Sequence, residues 1–421
     1  NDNDTGTSPE SARKSFEKIN ELTLAAGDRV LLKKGEVWNE PLHLRGSGSK
    51  EKPIRVEAYG EGKKKPLINP LGLPLDTSGI SNFGEFAEMA AVRLRNGSYW
   101  QFRNLELANR HPYFRGWGRS GIRIENPLDG PHKTMSHIYL ENLYIHDIWG
   151  AQCRFSNGRS AIGILFYTPG TVRRPSLSDK KFADIKIRNC HVDNCVDSGI
   201  SIYNMKNAVI ENNVIERAGW SGFVSRNTQF GICQKNVFKD CGIYLTQQDS
   251  AIIGTYYMDD WLIQHNYFID GKHFSGQGIN WDKGNRNLVQ YNYFRNLEGG
   301  GINMLAVCKD NTIRYNIFEN VGLLDPHSEV ICSRGANVNT SFYNNTVYVG
   351  KGQDTPLWEN LETKNRKGAT SGTKIFNNIF YVKGSSPGIV LADENGAVVN
   401  NNCYYGVTAF PGDKNAVTAD P

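Results

Sequence analysis

Three acids in this chain, Asp249, Asp282 and Glu298, are spaced so that they could work as a pair of carboxyl groups. Cutting an acetal linkage takes two such groups. One gives a proton to the leaving oxygen, and the other activates water or attacks carbon, at separations of about 5–5.5 Å or about 6.5–9.5 Å. Around the acids stand cations able to grip an anionic or polyhydroxylated ligand, Arg226, Lys283 and Arg334. Amides and rings of the sort that line sugar sites accompany them: Tyr203, Asn204, Gln247, Gln248, Asn280 and Asn303. Trp117, Trp149 and His273 complete the set of candidate contacts, and Glu329 adds a further acid. The same residues admit a second chemistry. A base could remove a proton beside a uronate carboxylate while a cation, or Ca2+ held by Asp249 and Asp282, neutralises that carboxylate. A lysine base needs its pKa lowered, and Lys283 has Asp282 as its neighbour, which pushes the other way. A third reading is a non-catalytic glycan-binding surface, for which acids on consecutive segments have no use.

These residues are far apart in sequence, so something must stack them. A short phrase recurs with an asparagine two places before an aromatic or aliphatic residue: Asn213, Asn236, Asn266, Asn292, Asn316 and Asn345, with echoes at Asn378 and Asn402. The intervals are 23, 30, 26, 24, 29, 33 and 24 residues, and the segments alternate apolar and polar residues rather than following a helical period. An irregular period of that size built from alternating segments implies a solenoid of β-coils stacked about 4.8 Å apart. In-register asparagines can then bond their amides from coil to coil. A second phrase, glycine followed by alternating residues, occurs at Gly199, Gly222, Gly242, Gly278 and Gly301. It predicts that the second and fourth residues after each glycine face outward, which places Asp282 beside Arg226 and Thr246. Trp281 should then be core. Glu298 approaches from the turn before Gly301.

With 39% hydrophobic residues and 421 in all, the chain suits one long solenoid. No apolar run is long enough to span a membrane. A net charge of +5 without a Lys/Arg cluster excludes nucleic acid as the natural partner but suits an anionic polymer. Eight cysteines form no CxxC pair, so metal and redox motifs are not indicated, and buried free thiols are expected. Ser8-Pro9 opens a short amphipathic helix, expected to cap the solenoid over residues 8–26. Residues 108–182 widen into loops rich in aromatics and arginine, expected to wall a cleft, and 350–372 reads as a late loop excursion. His265 and His327 read as turn residues. The polar start at Asn1 looks like a trimmed N-terminus, and the ending at Pro421 suggests that more residues follow.

The phrases Gly27-Asp28-Arg29-Val30-Leu31-Leu32-Lys33-Lys34-Gly35 and Pro53-Ile54-Arg55-Val56-Glu57-Ala58-Tyr59-Gly60 resemble the opening coils of secreted bacterial right-handed parallel β-helix proteins of the pectate-lyase superfamily. Ile145-His146-Asp147, Val289-Gln290-Tyr291-Asn292-Tyr293, Ile313-Arg314-Tyr315-Asn316 and Tyr343-Asn344-Asn345-Thr346 resemble the central coils of its glycoside hydrolase branch, of the α-L-fucosidase and xylanase kind. The resemblance implies an all-β, right-handed parallel β-helix. Together these readings give one domain, 1–421, of about eleven coils, exported and monomeric, acting on a polysaccharide without a cofactor. Hydrolysis by Asp282 with Glu298 or Asp249 is the expected chemistry, with β-elimination as the alternative.

Overall fold

The structure, a computed structural model, describes residues 2–70, 89–110, 118–150, 161–168, 180–243, 251–273, 276–324, 328–361, 370–391 and 396–421. It is a right-handed parallel β-helix. Short strands dominate, every strand pairing described is parallel, and the one helix found among these residues is Glu17–Glu21. The helix expected over 8–26 is therefore reduced to a single turn and a half. Ser8 instead bonds Ser11 within a turn, and Phe16 takes the N-cap position without a side-chain cap. The chain divides into two compact units, Asn1–Ala208 and Val209–Pro421, where one domain was expected. The strands of the smaller ladder occur one per coil, and thirteen are described against the eleven or so coils expected.

In the second unit each coil contributes strands to three ladders. One runs Ile232–Gln234, Leu262–Gln264, Leu288–Gln290, Thr312–Arg314, and a second runs Val237–Lys239, Tyr267–Ile269, Tyr293–Leu297, Ile317–Val321. The third, which carries the outward acids, runs Ser221–Gln229, Ala251–Asp259, Gln277–Asp282, Ile302–Leu305, Ile331–Arg334, Trp358–Leu361. The repeat works because alternation and register agree: every second residue of each strand is buried, and its stacked equivalent is buried too. Phe238, Phe268, Phe294 and Phe318 form an interior column with ring centroids 5.3, 4.5 and 4.6 Å apart. Burial of each such ring is worth about 1.5–3 kcal/mol.

The asparagine column is present. Asn236 Oδ1 accepts both the backbone N–H and the side-chain amide of Asn213, each at 3.0 Å. The same double contact repeats from Asn236 to Asn266, Asn292, Asn316, Asn345, Asn378 and Asn402. At Asn402 the acceptor becomes a carboxylate, Asp413 Oδ2 at 2.9 Å from the amide. The residue before each ladder asparagine has a left-handed backbone, for example Lys235 (φ 55°), Tyr291 (φ 56°) and Asn344 (φ 55°), which turns the corner between two ladders.

The glycine phrase also has a steric cause. A Cβ at Gly278 would stand 2.6 Å from the Gly301 carbonyl oxygen, and one at Gly301 would stand 2.4 Å from that of Val330. The phrase mispositions one coil. Gly242 has φ +82° and ends a turn, and the strand of that coil is Ala251–Asp259. Asp282 consequently faces Tyr256 in register, not Thr246, which with Asp249 lies outside the described residues.

Candidate active site

In the third ladder of the second unit two columns face away from the core. One reads Val224, Gly254, Asn280, Asn303, Cys332, Glu359, and the other Arg226, Tyr256, Asp282, Leu305, Arg334. The inward positions between them hold Trp281 and Met304, both fully buried. Of the expected residues, Arg226, Asn280, Asp282, Asn303 and Arg334 therefore share one face, as the alternation requires.

Polar side chains on that face are unusually well buried: Asn280 is 6% exposed, Asn303 4% and Glu329 3%. Asn303 donates from its amide to Gln277 Oε1 of the preceding coil at 3.4 Å. Among the described residues, the side-chain oxygens of Asn280 and Asn303, and Oε1 of Glu329, have no hydrogen-bond partner. Buried polar atoms are nearly always bonded, and leaving one unbonded costs about 1–3 kcal/mol. Three on one face are acceptors that donors from outside, such as sugar hydroxyls, could satisfy.

Glu329 lies one coil before Glu359, at the edge where the strand Ile331–Arg334 begins. Burial, and contact with the carboxyl of Glu359, push its pKa up to about 7, while Arg334 opposes the rise. Arg334 is held by its Nε–H donating to Cys332 Sγ at 3.1 Å. Glu359 is half-exposed. Two acids of unequal environment thus meet on one wall, which is the arrangement that separates a proton donor from a carboxylate.

At the other end of the face, Lys283 donates to the Tyr257 hydroxyl at 3.0 Å and lies 5.5 Å from the Tyr256 ring centroid, with the two tyrosines edge to face at 4.6 Å. The bond to Tyr257, together with the charges of Tyr256, Tyr257 and Asp282, raises the Lys283 pKa. The shift favours its protonated form, the opposite of what a lysine base needs.

The other expected residues are used differently. Glu298 accepts the backbone N–H of His273 at 2.6 Å and sits 3.8 Å from Lys272, so its carboxylate holds a turn between coils. His273 is the other side of that same contact. Tyr203 and Asn204 belong to the first unit: Tyr203 packs edge to face on Tyr167 at 6.1 Å within a buried cluster that includes Leu165, and the Asn204 amide donates to the Lys180 carbonyl at 3.4 Å. Trp149 is also in the first unit, with the Arg110 guanidinium 4.3 Å above its ring, which pins it to the neighbouring coil. Asp249, Gln247, Gln248, Trp117 and His327 lie outside the described residues. The described parts of 108–182 include ordinary coil strands, Arg119–Glu125, Ile138–Glu141, Tyr144–Trp149 and Ile162–Tyr167.

Sequence reasoning missed Glu359, because 350–372 was read as an excursion, yet Trp358–Leu361 is a strand. The stretch Leu357-Trp358-Glu359-Asn360-Leu361 does not alternate apolar and polar residues, so no periodicity announced the strand. It also missed Tyr256, through the displaced coil. The cysteines behave as expected: the seven described are unpaired, and burial pushes Cys190, Cys233, Cys241 and Cys308 up to about 12.

Comparison with known proteins agrees with the architecture. The right handed beta helix region family matches residues 85–255. The chain is 25% identical, over its whole length, to a lacto-N-biosidase of Bifidobacterium longum subsp. longum, of which it spans 31%. It superposes on the GH136 lacto-N-biosidase of Eubacterium ramulus with a TM-score of 0.67 and 22% identity, covering 95% of this chain and 66% of that one. The PL6 family alginate lyase AlyGC superposes with a TM-score of 0.59 at 14% identity, covering 96% of this chain and 52% of that one. The chain thus spans less than a third of the curated relative, and these likenesses establish the fold.

Proposed function

We propose that this chain is the glycan-cleaving part of an exported glycoside hydrolase, with the outward face of the second unit as its active site. The observation that carries the reading is the Glu329–Glu359 pair, two acids on successive coils that meet on a wall of unsatisfied amide oxygens. Glu329, protonated up to neutral pH, gives its proton to the leaving oxygen. Glu359, a half-exposed neighbour, is the second carboxyl. Asn280, Asn303 and Gln277 receive sugar hydroxyls, and Asp282 with Tyr256 and Lys283 forms a further subsite for a ring and its hydroxyls. Chemistry of this kind uses no cofactor.

The 25% identity to a lacto-N-biosidase supports hydrolysis and suggests a disaccharide-releasing enzyme acting on lacto-N-biose-terminated oligosaccharides. The protonated state of Lys283 weighs against a lysine-driven β-elimination. The test incubates the chain with lacto-N-biose-terminated oligosaccharides, neutral plant glycans and uronate polymers, following reducing ends and the ultraviolet absorbance of unsaturated uronates. Reducing ends without absorbance, lost in Glu329→Gln, support the reading. Unsaturated products, or undiminished release by Glu329→Gln, overturn it.

A further inference from the structure

The first unit holds a cavity of about 510 Å³ between its opening coils, lined by His43, Arg45, Arg93, Arg95, Asn96 and His132 among others. Its position follows from register. Strand Leu42–Arg45 pairs with Met89–Arg95 so that His43 stacks on Arg93 and Arg45 on Arg95, all on the outward face. Like charges directly opposite on neighbouring strands repel. The neighbouring acids relieve only part of this. Glu125 accepts two hydrogen bonds from Arg93, at 2.6 and 3.0 Å, and also lies 3.6 Å from Arg123. Exposed Asp129 is 3.2 Å from Arg95.

Among the described residues Arg45 meets no carboxylate. Its guanidinium donates to the carbonyls of Leu22 at 3.2 Å, Asn20 at 2.9 Å and Glu21 at 2.7 Å, which fixes its position and leaves its charge. The Oδ1 of Asn96, which lines the same cavity, accepts no hydrogen bond. Planar guanidinium forks suit carboxylates and phosphate-like oxyanions, and about 300–1,000 Å³ is the usual range for a small-molecule site. The volume leaves room for a sugar ring as well as its charged group.

We propose that this cavity binds a sugar bearing an anionic group, a sulfate ester or a carboxylate, at a site that shares no residue with the acid pair. The oxyanion lies between Arg45, Arg93 and Arg95. His43 and His132 face it from their own strand and loop, and Glu125 and Asp129 set the far side of the charge balance. Desolvation of the imidazole inside the cleft, although its edge is exposed, and then Arg93 and Arg45 hold the His43 pKa below its ordinary value, and a bound anion would oppose that depression.

The test reads binding rather than turnover, so its outcome is independent of the hydrolase reading. The chain is titrated with N-acetylglucosamine 6-sulfate, glucuronic acid, unmodified N-acetylglucosamine and inorganic sulfate, and the His43 imidazole is followed by nuclear magnetic resonance, assigned by its loss in His43→Gln. The charged sugars should shift the His43 signal and raise its titration midpoint, and Arg95→Glu should weaken them at least tenfold without lowering thermal stability. Binding of the unmodified sugar with equal strength, inorganic sulfate matching the sugar sulfate, undiminished binding by Arg95→Glu, or no response from His43 would each overturn the proposal.

Discussion

Two sets of buried asparagines in the second unit make opposite use of the same amide. In the column from Asn236 to Asn402 each oxygen accepts twice from the coil before, and each amide donates onward and to a backbone carbonyl, as Asn292 does to Asn316 and to Ile263. On the outward face Asn280 and Asn303 are buried nearly as deeply, yet their oxygens accept nothing. The first set repeats from coil to coil; the second interrupts a column whose other members are Val224, Gly254, Cys332 and Glu359. Repetition marks what holds the solenoid together, and departure from it marks where the molecule is prepared for something else.

Substitutions at the two sets should therefore separate stability from activity. Glu329→Gln on the acid face should lower kcat/KM by about 10²–10⁴, as loss of a general acid does, with little change in unfolding at low pH, where Glu329 is itself neutral. An unchanged rate would remove Glu329 from the mechanism. In the column, Asn292→Ala strips the Asn266 backbone N–H of its acceptor and Ile263 and Asn316 of their donor. A loss of about 3–5 kcal/mol is expected, since several buried groups are orphaned at once. Hydrogen exchange on neighbouring coils should show the opening, and unaltered protection there would mean the ladder is not what binds the coils.

The pH dependence sharpens the contrast. Glu329 has a folded pKa of about 7 against an ordinary 4.5, so the folded chain holds a proton that the unfolded chain has released. Stability is fully present below about pH 4.5 and declines as pH rises through 7, by about 3 kcal/mol in total. Glu329→Gln should flatten that decline in a set of denaturation curves, and activity should fall over the same window as the acid loses its proton. The smallest effect belongs to Tyr315→Asn. Tyr315 has φ 54°, and the equivalent corners at Asn212, Asn344 and Asn377 already carry asparagine. Relief of a bulky left-handed residue offsets the loss of ring stacking on Tyr291 at 5.1 Å, so the unfolding midpoint should move by less than about 1 kcal/mol in either direction.

The repeat was legible because one asparagine per coil and one aromatic two residues later are geometric necessities of a stacked corner. The outward placement of Asp282, Asn280, Asn303 and Arg334 followed from alternation alone. Spacing and register disagree at one coil. Gly242 matched the glycine phrase, but the strand it announced begins only at Ala251, and the partner of Asp282 changed from Thr246 to Tyr256. Trp358–Leu361 was hidden inside a polar stretch that had been set aside as a loop.

By itself the sequence determined the coil, its period and which side of each strand faces out, because those depend on contacts between a residue and its equivalents one turn away. The pairing of acids depends on neighbours at different positions in successive coils, Glu329 at a strand's edge and Glu359 within the next, and on how deeply each is buried. Burial and contact are properties of the stacked chain, and so only the tertiary structure shows Glu298 accepting the His273 backbone N–H while burial and Glu359 raise the pKa of Glu329.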